Sequence, residues 1–363
     1  MSALTICALN VTACSTSTES TPDESASLDA SSDVSTDEQS SRGEQIFLYG
    51  AGATFPAPLY DIWISEYRKI NPDVEIQYQA VGSGAGIEEF LAQGVDFGAT
   101  EAPLTEENKA SFPAERGRPI QIPIVGGAVV FGYNLPEVEN LRLSRQAYCG
   151  VVSGDITNWS DPAIAADNPD ATLPDLPVKF VHRADSSGTT FVFTQHLASA
   201  CPGWTADADT VIDWPVGTGA PGNGGITANI KQSEGTIGYI TFAHAEQNFV
   251  QVAELENKAG NFIEPLPESA AKAAENTDIP DDFAVLIPDP DAEDAYPIIG
   301  LTFMLLYGAY PDQREADALT SFIQWALTDG STYADSMGYA PLSDDLVTEV
   351  TLTLNEIQVS ATP

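Results

Sequence analysis

The chain has 363 residues, 43% hydrophobic and 9% aromatic, enough apolar material for two domains with buried cores and too much for a disordered chain. Its 14 Lys plus Arg face 53 Asp plus Glu, a formal net charge of −39. That balance excludes nucleic acid as a partner, suits a solvated surface in salty surroundings, and obliges any anion site to work locally against the protein's own field.

Residues 3–13 are a short, mostly apolar run closing on Val11-Thr12-Ala13-Cys14. Small residues ending on a cysteine resemble a bacterial lipobox, in which the Cys is lipidated and becomes the new N-terminus, although the run is short and no Lys or Arg precedes it. Residues 15–41 are Ser, Thr, Asp and Glu with hardly any aliphatic side chains, and such a tract cannot bury a core. The reading is a lipoprotein-type signal over 1–14 with lipidation at Cys14, then a disordered acidic tether over 15–44. The protein is expected to be exported and to touch the membrane only through its lipid, since no other segment is long and apolar enough to span. Cys149 and Cys201 remain, without metal-site spacing; a disulfide between them is expected, two buried thiols being the alternative.

Beyond the tether the chain reads as strand–turn–helix units. Residues 45–49 form a strand, Gly50-Ala51-Gly52-Ala53-Thr54-Phe55 a turn, and a helix follows with Pro56 and Pro58 in its opening turn and Leu59, Ile62, Trp63, Tyr67 and Ile70 on one face. Val74, Ile76, Tyr78 and Ala80 alternate as a strand, then come the turn Gly82-Ser83-Gly84-Ala85-Gly86 and a helix with Ile87, Phe90 and Leu91. A short strand over 95–100 leads to Glu101-Ala102-Pro103. Gly126-Gly127, after an apolar stretch, marks the start of a crossover. The fourth unit is a strand over 178–181, the turn His182-Arg183-Ala184-Asp185-Ser186-Ser187-Gly188-Thr189-Thr190, and a helix over 191–197. Residues 281–294 are rich in Asp and Pro and precede a return crossing at Tyr296-Pro297-Ile298-Ile299; helices over 314–328 and 343–354 close the chain. Strands alternating with helices imply an α/β fold with largely parallel sheets, in which turns at the carboxyl ends of strands converge on one crevice.

The Arg183 turn gathers a guanidinium, several hydroxyls and the free N–H groups of a helix start, the parts needed to hold a tetrahedral oxyanion. Thr54, Ser83, Ser187 and Thr189 add hydroxyls, and backbone N–H groups near Phe55, Gly188 and Thr189 lie at helix starts. Orthophosphate at neutral pH still carries a proton, so it needs an acceptor as well as donors. Glu101 is that acceptor, repelling an anion with no proton to share, and Asp185 orients Arg183. Singly, each turn could be an ordinary helix start, and Glu101 an exposed carboxylate. Gly217-Thr218-Gly219-Ala220-Pro221-Gly222 formally matches G-x-G-x-x-G, but Pro221 and the following Asn223-Gly224-Gly225 do not open a dinucleotide-binding helix, so it reads as a loop. His182, His196 and His244 lack metal-ligand spacing and read as structural.

With these residues in view the chain resembles the extracytoplasmic phosphate-binding proteins of Pst-type ABC phosphate importers, from about residue 48 to 350. The motifs are Gly50-Ala51-Gly52-Ala53-Thr54-Phe55-Pro56-Ala57-Pro58, Val81-Gly82-Ser83, Val95-Asp96-Phe97-Gly98-Ala99, Arg183-Ala184-Asp185-Ser186-Ser187-Gly188-Thr189, Trp214-Pro215-Val216-Gly217 with Gly222-Asn223, and Gly235-Thr236-Ile237-Gly238-Tyr239. The resemblance implies a two-lobed periplasmic-binding-protein fold, type II-like, with mixed, mainly parallel sheets and a hinge. Lobe I would comprise 45–125 and 296–363, and lobe II 126–295. It also implies phosphate contacts at Thr54, Phe55, Ser83, Arg183, Asp185, Ser187, Gly188 and Thr189. Where the family usually has Asp, this chain has Glu101, one methylene longer: either the backbone recedes or discrimination between phosphate and arsenate differs. The expected function is binding of inorganic phosphate outside the cytoplasmic membrane, by a monomer with no cofactor or metal, and delivery to an importer's membrane permease. The alternatives are a phosphatase-like enzyme on the same cradle and a binder of another oxyanion such as arsenate or sulfate.

Overall fold

The computed structural model of the protein describes residues 45–274 and 277–359; the signal, Cys14 and the tether lie outside them. The first strand, Ile46–Gly52, pairs in parallel with Val74–Ala80 on one side and Phe97–Thr100 on the other. Phe97–Thr100 in turn pairs antiparallel with Ile299–Tyr307, and that strand with the 15-residue strand Pro119–Tyr133. From Val129 onward the long strand changes partner to Thr236–Thr241, antiparallel, which leads in parallel to Lys179–Arg183 and Thr218–Ala220. The sheet thus has two parallel wings joined by an antiparallel centre. Both wings end their strands at the same place, the carboxyl-end crevice that parallel α/β units create.

The Gly126-Gly127 pair does not begin a crossover. It lies inside Pro119–Tyr133, and a Cβ on Gly127 would stand 2.9 Å from the Phe55 ring, so close approach rather than a turn demands glycine. The return crossing is the strand Ile299–Tyr307, whose register shifts between Thr302 and Phe303.

The helix Ala57–Ile70 buries Leu59, Tyr60, Trp63 and Tyr67, whereas Ile62 and Ile70 are 36% and 60% exposed. The aromatic residues decide the buried face: Tyr60 stacks on Trp63 and meets Tyr78 edge-on. The second helix, Ser83–Leu91, buries Phe90 against Tyr307. Helices Gln313–Leu327 and Asp344–Leu354 close the chain, each started by an Asp or Ser cap. Cys149 and Cys201 are bonded, with Cα atoms 5.6 Å apart, tying the helix Arg145–Ser153 to the end of Gly188–Ala200.

Candidate functional site

Turns at the strand ends of one wing meet those of the other. On the first side, Gly52 adopts φ +143° where a Cβ would fall 2.1 Å from the Ala99 carbonyl, and this close crossing launches Ala53-Thr54-Phe55. Phe55 is fully buried and its carbonyl accepts the Tyr339 hydroxyl at 2.7 Å. Gly82, at φ +103°, precedes Ser83 at the start of the next helix. Glu101 follows the strand Phe97–Thr100 and is 2% exposed.

On the second side, Arg183 ends its strand 4% exposed. Its Nε donates to Asp185 Oδ1 at 2.7 Å, its Nη2 donates to Asp185 Oδ2, and its Nη1 donates to Thr189 Oγ1 at 3.2 Å. Asp185 also accepts from the Gly222 N–H at 3.0 Å. Burial pushes the Asp185 carboxyl up, but the Arg183 bonds and charge outweigh it and hold the group below its ordinary value. The pair is a guanidinium locked in one orientation. Ser187 caps the helix Gly188–Ala200 by accepting the Thr190 N–H at 3.0 Å.

The two sides touch at Ser83, whose Oγ accepts from the Gly188 N–H at 3.1 Å and donates to Glu101 Oε2 at 2.9 Å. Only glycine fits at 188: a Cβ there would lie 2.1 Å from Glu101 Oε2 and 2.3 Å from Ser83 Oγ. The other Glu101 oxygen, Oε1, accepts from the Thr302 hydroxyl at 2.8 Å. Burial raises the Glu101 carboxyl to about 7, against the opposing pull of Thr302, Ser83 and Arg183. A carboxyl that titrates near neutrality beside a fixed guanidinium can share a proton with an anion held between them.

All nine sequence-derived positions, Thr54, Phe55, Ser83, Glu101, Arg183, Asp185, Ser187, Gly188 and Thr189, belong to these converging turns. The glycine-rich stretch expected to be a loop does not remain one. Thr218–Ala220 is a strand and Gly222–Gln232 a helix, a further strand–turn–helix unit. Its poor helix propensity is overridden by tertiary anchoring: Ile226 and Ile230 are buried, Gly222 is tied to Asp185, and Asn223 is wholly buried in the site. Asn223 and Thr302 are therefore site residues that sequence reasoning missed. The Gly222-Asn223 pair carried a signal, as one of the motifs on which the family resemblance rests; Thr302 carried none, sitting in an ordinary apolar strand.

His182 stacks on Trp214. His196 is buried against Tyr148, and His244 is bonded to Thr241; burial, to which Arg183 adds repulsion for His244, lowers both imidazoles to about 4. Among the described residues no group of three or more His, Cys, Asp or Glu could hold a metal ion. Two clefts of about 950 Å³ each lie elsewhere: one beside the disulfide, the other around Pro136 and Asn168. They are open surface grooves, whereas the converging turns concentrate fixed donors and an acceptor at one small point, which is what a small anion requires.

The chain matches the PBP superfamily domain over residues 17–330. It is 34% identical over 309 residues to the phosphate-binding protein PstS of Pasteurella multocida, covering 84% of this chain and 88% of that protein. It is 33% identical over 351 residues to the phosphate-binding protein PstS of Xylella fastidiosa, covering 94% and 93%. A high-affinity periplasmic phosphate-binding protein solved with phosphate superposes with a TM-score of 0.71 at 23% identity, over 85% of this chain and 93% of the other, a likeness of fold.

Proposed function

The chain belongs to the PBP superfamily and, within it, to the PstS phosphate-binding proteins, and from that premise we propose that its converging turns hold one inorganic phosphate for delivery to an ABC importer. The observation that carries the reading is the buried Arg183 fork, locked by Asp185, standing with Glu101 among hydroxyls drawn from both wings. Arg183, Ser187, Thr189 and Thr54, with N–H groups of Phe55 and Thr189, supply donors, Ser83 and Gly188 line the same point with their hydrogens held by Glu101 and by Ser83, and Glu101 accepts the ligand's remaining proton. Charge-assisted bonds contribute roughly 1.5–3 kcal/mol each, so four or five reach the ~8 kcal/mol of micromolar binding after the cost of association.

In the periplasmic-binding-protein fold the two lobes, 45–125 with 296–363 and 126–295, close about the central strands on the ligand. The protein works as a monomer outside the cytoplasmic membrane, tethered by a lipid on Cys14, and passes phosphate to the importer's permease without turning it over.

Titration calorimetry at pH 8 tests this. Phosphate binds at micromolar strength or tighter, sulfate does not compete, and Arg183→Ala weakens phosphate by about a hundredfold or more. Equal affinity for sulfate would remove the role given to Glu101. The Ser83 hydroxyl on the Glu101 carboxylate also has the form of a nucleophile with its base. Hydrolysis of a phosphate monoester by pure protein, lost in Ser83→Ala, would replace binding by catalysis.

A further inference from the structure

Asn223 is wholly buried at the start of the helix Gly222–Gln232 and touches both sides of the site. Its amide has one possible orientation, because Oδ1 accepts from the Thr241 backbone N–H at 3.3 Å, a group that can only donate. Nδ2 therefore faces two hydroxyls, donating to Thr54 Oγ1 at 2.9 Å and to Thr189 Oγ1 at 3.1 Å. Each hydroxyl also accepts a second donor, the Asn223 backbone N–H at 3.4 Å for Thr54 and Arg183 Nη1 at 3.2 Å for Thr189. A hydroxyl oxygen has two acceptor sites and one hydrogen. With both acceptor sites filled, the role left to Thr54 and Thr189 is to donate.

We propose that Asn223 is the positioning residue that sets the hydrogen-bond polarity of the site, fixing Thr54 and Thr189 as donors and so matching two corners of a ligand that are acceptors only. Glu101 does the reverse: it takes hydrogens from Ser83 and Thr302 and keeps acceptor capacity for the one ligand oxygen that carries a proton. The polarity of the cradle is thus divided, donors on the Asn223 side and an acceptor at Glu101. This rests on the phosphate reading above.

The test compares two substitutions in the full chain by phosphate calorimetry at pH 8, with thermal melts in phosphate-free buffer. Asn223→Asp keeps the shape and replaces the donor by an acceptor, drawing both hydroxyl hydrogens away from the ligand. Asn223→Ala removes the donor and the shape. The expected order is that Asn223→Asp loses more affinity, about a hundredfold against about tenfold for Asn223→Ala. Because the new carboxylate also repels the anion, this order is read together with a cycle of Asn223→Ala with Thr189→Val; the opposite order, or wild-type affinity in both, overturns the proposal. Should Asn223→Asp not fold, that cycle decides: the Asn223→Ala loss shrinks several-fold once the Thr189 hydroxyl is gone, whereas losses that simply multiply refute it. Absence of phosphate binding by the wild-type protein would instead strike the functional reading itself.

Discussion

At the scale of single residues, Glu101 shows how a longer arm is accommodated. Both of its oxygens are held, by Ser83 from one turn and Thr302 from the central strand, so the extra methylene does not leave a loose carboxylate. The register shift beside Thr302 accompanies this placement. Burial raises its folded-state value from 4.5 to about 7. Between those limits the folded protein keeps a proton that the unfolded chain has released. The stabilisation is therefore complete below about pH 4.5 and is lost as pH rises through about 7, a swing on the order of 3 kcal/mol. In phosphate-free buffer, Glu101→Gln should gain stability relative to wild type as pH is raised from 5 to 8. Denaturant titrations across that range check it; a wild-type-to-variant difference that does not move with pH refutes the burial argument.

At the scale of elements, the helix Gly188–Ala200 is a strut fixed at both ends. Its N-terminus is the anion end, bonded through Gly188 to Ser83 and preceded by the Ser187 N–H on the Thr210 carbonyl at 2.9 Å. Its C-terminus is pinned by Cys201 to Cys149, and between them His196 bonds the Tyr148 hydroxyl at 3.0 Å and the Pro288 carbonyl at 2.9 Å. The disulfide closes a separation of 52 residues, for which loop entropy gives about 4 kcal/mol. Replacing both cysteines by Ser should lower the melting temperature by about 10 °C, with phosphate affinity changed less than about tenfold because the anion end keeps its own anchors. An unchanged melting temperature would show that the bridge does not constrain the unfolded chain. This helix was legible in the sequence, as were the units around Thr54 and Ser83, because alternating or helical apolar patterns flank a glycine turn in each, and the strand before Glu101, because a short apolar run ends at Ala102-Pro103. Gly126-Gly127 and the stretch around Gly222 misled for one reason. Gly127 serves close approach to the Phe55 ring, and Gly222 takes a φ of +63° with its N–H on Asp185; in both the tertiary setting decides, and local propensity does not report what lies across the fold. Thr302 was illegible for the same cause: its importance comes from a partner 201 positions away.

At the scale of the whole molecule, the charge and the ligand have the same sign. A net charge of −39 raises a repulsive field around a site meant for a dianion. Six of the described surface cations are neutralised locally: Arg68, Lys69, Lys109, Arg118, Arg142 and Lys258 each stand beside a carboxylate. The cation at the site itself, Arg183, is buried, where salt screens little. Salt should therefore act on the approach of phosphate and not on its grip. Raising KCl from 0.05 to 1 M shortens the screening length to about 3 Å, so the association rate should rise several-fold while dissociation stays nearly constant, and affinity should tighten. Stopped-flow measurement of phosphate binding at several KCl concentrations reads both rates. A rate that falls with salt would mean that a local positive potential at the cleft mouth overrides the acidic surface, and the protein would then be steering its ligand rather than waiting for it.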